Sequence, residues 1–358
     1  QGGGNDGRPY SFGRPSSGGS KAAYPCKSYG QGRINPAYFY GVFDPNDMRR
    51  DVSITMTGSN GKGVEKLIPF VPNSKAEGGG LTLNKWDENR QANPWVAAQR
   101  KSGINGPYMR MSEVYLGYAE VCAALGDVVT GKQYLKTVRE RSFPQGLANT
   151  DAFIASFGND LVRAIIEERG FEYAGEGDRR WTLIRSGYLP EDIKRIKDMT
   201  KAMMDGLATK GYYEFENGNI ISAYIWTKLV DAKTIYGHRL TAQCPTDKVN
   251  DPVLYPGWRG QKDNWEEMGL NYGSSTPATN LAIKGLFEIV SEEEAASLES
   301  QGYAKVNWGI DLVDYRDEYD KYLFWDYDYV SAPIYLWPFT PNVMAAGGFT
   351  NGYGFKQE

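Results

Sequence analysis

The chain has 358 residues, 41% of them hydrophobic, and a formal net charge of −4. That is enough apolar material for one or two folded domains, while the acidic balance, with no basic cluster beyond the short MRRD at 48–51, excludes nucleic acid as the main partner. No apolar run reaches the ~18 residues that a membrane span needs, and the single histidine, His238, leaves Ser-His-Asp, Cys-His and His-rich zinc sites without support.

Residues 1–105 read as a loop-rich segment. The start, QGGGNDGRPYSFGRPSSGGS, is rich in Gly and Ser and carries neither an initiating Met nor a signal peptide, so a processed or truncated chain is expected. Turn chemistry follows in FDPND, GSNGKG and AEGGG. DVSITMTG at 51–58 alternates Val52, Ile54 and Met56 as a strand does, with KLIPFV at 66–71 as its candidate partner. GSNGKG lacks the spacing of a phosphate-binding loop and is read as a hairpin turn.

Residues 106–210 read as a helical core. A first helix runs from Met109 to Leu125 and ends at Gly126-Asp127; its charged residues Arg110, Glu113 and Glu120 fall on one stripe. A second, over about 131–142, has Tyr134, Leu135 and Val138 on one face, and a third, over about 151–174, carries Leu161, Ile165, Glu168 and Glu172 on one stripe. A further helix over 190–208 opens with Pro190-Glu191-Asp192, which suits a first turn. Pairs of this size suggest tetratricopeptide-like units, although no second copy is visible as a repeat. An unpaired buried ion costs several kcal/mol, so Arg110, Glu113 and Glu120 are expected to meet Arg139, Glu168, Arg169 and Glu172 across a helix–helix seam. These charges are read as structural, not catalytic.

Residues 211–358 read as loop-rich and helical, packed on that core. Asn217-Gly218 signals a two-residue hairpin, one or two helices are expected over 276–300 with Ser291 opening the last, and the tail from 303 is expected to wrap the helical body. Of three cysteines, Cys122 is expected to be a core thiol, while Cys26 and Cys244 sit in loop contexts and can pair if the protein is exported.

The ordered segments RMSEVYLGYAEV (110–121), YLKTVRERS (134–142) and IIEERGFEYAGEGDRRWTLIRSG (165–187) resemble the signature of the SusD/RagB family. FDPNDMRRDVSI (43–54) resembles its upstream Asp-Pro…Arg segment, and APIYLWPFTPNVM (332–344), followed by an Asn-Gly-Tyr, resembles its closing element. The resemblance covers roughly 40–358, the C-terminal part of such a protein, and the family's lipidated cysteine and N-terminal helical portion have no counterpart. It implies a mostly α fold, a SusD-like superhelix of tetratricopeptide-like pairs with extensive irregular loops and a few short β-hairpins. It further implies a non-catalytic outer-membrane lipoprotein of the bacterial cell surface. Such a protein captures oligosaccharides, or in some members peptides, for a SusC-like TonB-dependent transporter. Any contact with the membrane would run through a lipid anchor absent from this chain.

A sugar ring needs an aromatic platform beside planar polar side chains, because each hydroxyl taken from water must be re-paired. GQGRINPAYFYG (30–41) and NKWDENRQANPW (84–95) offer both, so the candidate ligand residues are Tyr29, Arg33, Asn35, Tyr38, Tyr40, Trp86 and Trp95. The alternative for each is packing of the loops against the helices, the reading favoured for Trp258, Trp265, Trp308, Trp325 and Trp337. DPND (44–47) and DYRDEYD (314–320) cluster oxygen ligands without EF-hand spacing, so neither metal nor cofactor is expected. Two rivals stay open. A helical-scaffold glycoside hydrolase would need two carboxylates roughly 5–10 Å apart in an aromatic cleft, and a peptide-binding member of the family, or a peptide-binding helical scaffold, would need only a partner chain.

Overall fold

The structure, a computed structural model, describes residues 34–44, 46–55, 57–59, 65–67, 81–83, 85, 108–144, 146–231, 279–309, 313 and 341–348. Among these, helices dominate and the strands are short, as expected of a mostly α fold. Chain order begins with a π-helical turn at Tyr38–Val42, then α1 (Met48–Ser53), capped by the Asp47 carboxylate, which accepts from the Arg49 backbone N–H. Strands β1 (Ile54–Thr55) and β2 (Thr57–Ser59) follow directly. The alternation read over 51–58 therefore starts inside a helix. The expected pairing with 66–71 is present in part: β2 pairs antiparallel with β3 (Glu65–Leu67), and β1 with β4 (Thr82–Leu83).

The helical core is α2 (Met111–Ala124), α3 (Val128–Glu140), α4 (Thr150–Ala155), α5 (Leu161–Glu172), α6 (Asp178–Ser186) and α7 (Leu189–Lys210). The turn between α2 and α3 is built as its sequence asks: Gly126 takes φ +88°, and the Asp127 carboxylate caps α3 at the Thr130 N–H. The expected helix over 151–174 is instead two. Gly158 and Asn159 both adopt positive φ, and Asp160 restarts the chain by capping Arg163 N. Consecutive left-handed residues cannot continue a right-handed helix. Helix α6, bounded by Gly177 and Gly187 at positive φ, occupies a segment that had been read for its charges alone.

Downstream, β5 (Tyr212–Glu214) and β6 (Ile220–Ser222) form the expected hairpin. Its loop is longer than the Asn-Gly signal suggested: Phe215 still bonds Asn219, and only Gly218 is at positive φ. A two-residue type I′ turn would need both central residues there, whereas a type I turn closed by a left-handed glycine needs one. Strand β7 (Tyr224–Asp231) lies between β8 (Thr279–Lys284) and β9 (Ala304–Asn307), antiparallel to both. The helix expected from 276 is thus a strand over 279–284, because cross-strand pairing outweighs the local apolar spacing. Ser291 does open a helix, α8 (Glu292–Ser300), by accepting from Glu294 N. A last short helix, α9, spans Pro341–Gly347.

Two main apolar clusters result. One joins the 37–43 segment, α7 and the β-strands through Phe39, Tyr40, Met203, Phe215, Ile225 and Trp308. The other sits among α2–α5, around Leu116, Leu135, Val138, Ile154, Ala164 and Ile165. Cys122 is a buried free thiol on the inner face of α2. The outer face of α2 shows Met111, Val114, Tyr118 and Val121 to solvent.

Candidate functional site

A cleft of about 790 Å³ opens where the 34–44 segment, α4, α5, α7 and the β5–β6 hairpin converge. Its apolar walls are ring edges and faces: Phe153, Phe157 and Phe171 on one side, Tyr213 and Phe215 on the other, with Met199 between. Phe153 meets Phe157 edge-on at 5.2 Å and Phe171 at 6.2 Å, and Tyr213 meets Phe215 edge-on at 4.8 Å, so each wall is braced by its neighbours. Amides and acids complete the lining, including Asn149, Asn217, Asp44, Asp198 and Glu216. A second hollow of about 600 Å³, beside Val128, Lys132 and Asp151, has no aromatic ring in its lining.

The 34–44 wall is held from behind by side chains the hairpin supplies. Asn217 Nδ2 donates to the Gly41 carbonyl at 2.7 Å, and Asn219 Nδ2 donates to the carbonyls of Tyr40 and Phe43 at 3.1 and 2.8 Å. Those carbonyls would otherwise be buried without partners. Gly41 is needed for the approach itself: a Cβ there would stand 2.5 Å from the Phe215 ring and 2.8 Å from Met199 Sδ. This clamp was not legible in the sequence. Its one signal was the pair of asparagines flanking Gly218.

Three of the seven ligand residues expected from sequence are described, and all three turn inward. Asn35 Oδ1 accepts from Ala37 N at 2.8 Å and from Thr200 Oγ1 at 3.0 Å, fastening the start of the turn to α7. Tyr38 packs edge-on against Phe43, and its hydroxyl is buried beside the Arg179 and Glu167 side chains with no hydrogen-bond partner among the described residues. Burial pushes the Tyr38 phenol well above its ordinary range. Tyr40 is 0% exposed, its ring against Phe39, Phe287 and Trp308, so it has no free face to offer a sugar. The expected platform in 34–40 is therefore the support of the cleft wall, and the segment reaches the cleft through Gly41, Val42 and Asp44. Tyr29, Arg33, Trp86 and Trp95 lie outside the described residues, as do Cys26, Cys244, Trp258, Trp265, Trp325 and Trp337. Trp308 packs as expected, buried, with Nε1 donating to the Ser222 carbonyl at 2.8 Å.

Beneath the cleft runs the ion network anticipated from the helix stripes. Arg110 reaches Glu172 at 2.6 Å, Arg139 reaches Glu168 at 3.0 Å and Arg169 approaches Glu113 at 3.7 Å, whereas Glu120 leaves the expected seam and is held by Arg185 of α6. Arg49 adds a bridge to Glu168 at 2.6 Å and to Glu172 at 3.2 Å, and Lys85 pairs with Glu176. Burial alone would push the Glu172 carboxyl up, but Arg49, Arg141 and Arg110 outweigh it and hold the group at about 2. A second knot ties Arg179 to Glu167 and Asp192 at 3.0 Å and Arg195 to Asp192 at 2.6 Å. Each interior carboxylate is committed to guanidinium partners, a structural role for the network. The acidic DPND run is likewise spent locally: Asp44 Oδ1 accepts from Asn46 N and Asp47 caps α1.

Among the described residues, paired helices around a buried charged seam, with short strands and an aromatic cleft at one face, make a helical scaffold. The chain belongs to the SusD family, whose model matches residues 4–339. It is 28% identical over 160 residues to the SusD-like protein P25 of Formosa agariphila, an overlap of 44% of this chain and 26% of that protein. A crystal structure of a SusD homolog from Bacteroides thetaiotaomicron matches with 23% identity and a TM-score of 0.31, over 45% of this chain and 33% of that one. The chain thus spans about a quarter of the curated relative it matches.

Proposed function

We propose that the protein is a non-catalytic, cell-surface glycan-binding protein of the bacterial outer membrane. In this reading it captures oligosaccharides and delivers them to a SusC-like TonB-dependent transporter. Family membership over residues 4–339 carries the reading. The cleft adds physical support: rings to stack on the CH faces of pyranoses, and amides to re-pair hydroxyls. No helix among the described residues is long and apolar enough to cross a membrane. Tyr29, Arg33, Trp86 and Trp95 remain proposed ligand residues, and Phe157 and Tyr213 of the cleft are proposed in addition.

The test is a glycan-array screen of the 358-residue chain, with hits taken to calorimetry on the wild type and on Tyr213→Ala, Phe157→Ala, Trp86→Ala and Trp95→Ala. Loss of ~2 kcal/mol or more on one ring, with an unchanged thermal midpoint, identifies the sugar platform. Retention of the ligand intact after long incubation is expected. Turnover that disappears on changing one cleft carboxylate would replace capture with hydrolysis, and binding only to peptides would replace the ligand class.

A further inference from the structure

The three-stranded sheet carries polar chemistry that the cleft does not use. Directly opposed residues of an antiparallel pair share a face, as do alternate residues of one strand. The register sets Tyr224 against Asn307, and sets Trp226 against Lys305 of β9 on one side and Lys284 of β8 on the other. Ile225 and Ile283 belong to the opposite face and are buried in the core cluster. Lys305 Nζ stands 4.7 Å from the Tyr224 ring centroid and 5.3 Å from that of Trp226, so the side chains that share the register also meet. Tyr224 is 39% exposed, and a Cβ on Gly211 would come within 3.2 Å of its ring, so the ring is held from that side. Two buried polar atoms of the same face are unanswered. Trp226 is 4% exposed, yet its Nε1–H has no acceptor, and Asn307 Oδ1 has no donor, among the described residues. The benzo edge of Trp226 packs at Gly285, where a Cβ would stand 3.1 Å from it, and Nε1 lies on the other edge of the indole.

We propose that this face is a second glycan subsite, distinct from the cleft, and that it takes a hexuronic-acid unit. The proposal rests on the reading that the protein captures glycans, and it does not need the cleft to be where they bind. A buried donor and a buried acceptor left open one diagonal step apart call for a group that accepts from one and donates to the other, and a sugar hydroxyl does both. Tyr224 supplies the ring that stacks on the CH face of the sugar. Lys305 and Lys284, on either side of Trp226, receive the carboxylate. A cation over an exposed ring is a weak contact, and Lys305 has a flexible four-carbon stem, so it can leave the rings to the sugar and turn to the acid group.

The experiment measures binding of the full chain, by calorimetry, to a galacturonic-acid oligomer and to the same oligomer with every carboxyl methyl-esterified. At low ionic strength the acid form is expected to bind about tenfold tighter than the ester, and roughly 0.5 M salt should bring that ratio toward one. Lys305→Gln should close the gap with little effect on the ester, whereas Tyr224→Ala should weaken both forms by about tenfold or more. Trp226→Phe, which keeps a ring and removes the N–H, should also weaken both. Lys305 is exposed, so its substitution keeps the test valid if a change at Trp226 disturbs the sheet. Equal affinity for acid and ester, or acid binding that is lost in Tyr213→Ala and kept in Tyr224→Ala, overturns the inference and leaves capture through the cleft standing. Binding of phosphatidylglycerol vesicles by a chain that ignores both oligomers gives the face to a lipid headgroup and overturns it as well. Failure of both oligomers while other glycans on the array bind overturns this inference alone, and failure of every glycan overturns the capture reading with it.

Discussion

Glu172 shows how much one buried group can carry. It accepts from Arg110 at 2.6 Å and Arg49 at 3.2 Å, and Arg141 closes on the same carboxylate. Its folded value of about 2 lies below the ordinary 4.5, so the stabilisation is complete above pH 4.5 and is lost as pH falls through 2. That gap corresponds to on the order of 3 kcal/mol. Urea unfolding followed from pH 7 to pH 2 should therefore show a fall in stability concentrated below pH 4.5, and Glu172→Gln should be less stable at pH 7 but flatter over that window. Parallel curves for the two proteins would move the acid lability to other carboxylates. The network around Glu172 was largely legible, because charges on an otherwise apolar helical stripe admit few solutions. Arg49 and Lys85 were not, because they arrive from segments about 120 and 90 residues away in sequence, and only the fold brings them in.

At the scale of elements, long helices with clear caps were readable and short or interrupted ones were not. Pro190 and Ser291 mark helix starts in the sequence and mark them in the fold, while Asp127, expected only as the end of the first helix, also caps the second, which therefore starts at Val128 and not near 131. The break between α4 and α5 was hidden because the apolar spacing runs through it, while the Gly158-Asn159-Asp160 stop-and-restart signal was there to be used. Glycine inside α7 is a case where propensity misleads. Gly206 lowers helix propensity by ~1 kcal/mol against Ala, yet a Cβ there would lie 2.6 Å from the Tyr213 ring and 3.0 Å from the Tyr212 carbonyl. Those residues belong to β5, so the missing side chain is what lets the hairpin lie on α7 and Tyr213 face the cleft. Gly206→Ala is expected to lose ~1–3 kcal/mol despite its better helix propensity, as overpacked sites do. Thermal or denaturant unfolding reads this directly. A gain in stability would mean that the hairpin shifts at no cost and that its contact with α7 is loose.

Across the whole molecule, α5 is the axis. Every one of its residues except Val162 is buried, and five of them, Arg163, Glu167, Glu168, Arg169 and Glu172, are charged. A surface helix would show one apolar face; this one is wrapped on all sides and meets α1, α2, α3, α4, α6 and, through Arg179 and Asp192, α7. Its Phe171 belongs to the cluster of the 37–43 segment and the strands, while Leu161, Ala164 and Ile165 belong to the cluster of α2–α4. The two cores therefore meet on one helix, and Glu168, 0% exposed, stands between them with Arg49 on one side and Arg139 on the other. Removing that carboxylate takes from Arg139 its closest buried partner and leaves Arg49 with Asp47 and Glu172, so Glu168→Ala is expected to cost ~3–5 kcal/mol, well beyond the loss of one surface ion pair. Because the damage falls on the joint, the far-UV and near-UV unfolding transitions, expected to coincide in the wild type, should separate in the variant. A loss below ~1 kcal/mol with transitions still coincident would show that water reaches the seam and that the two cores are joined by their apolar contacts alone.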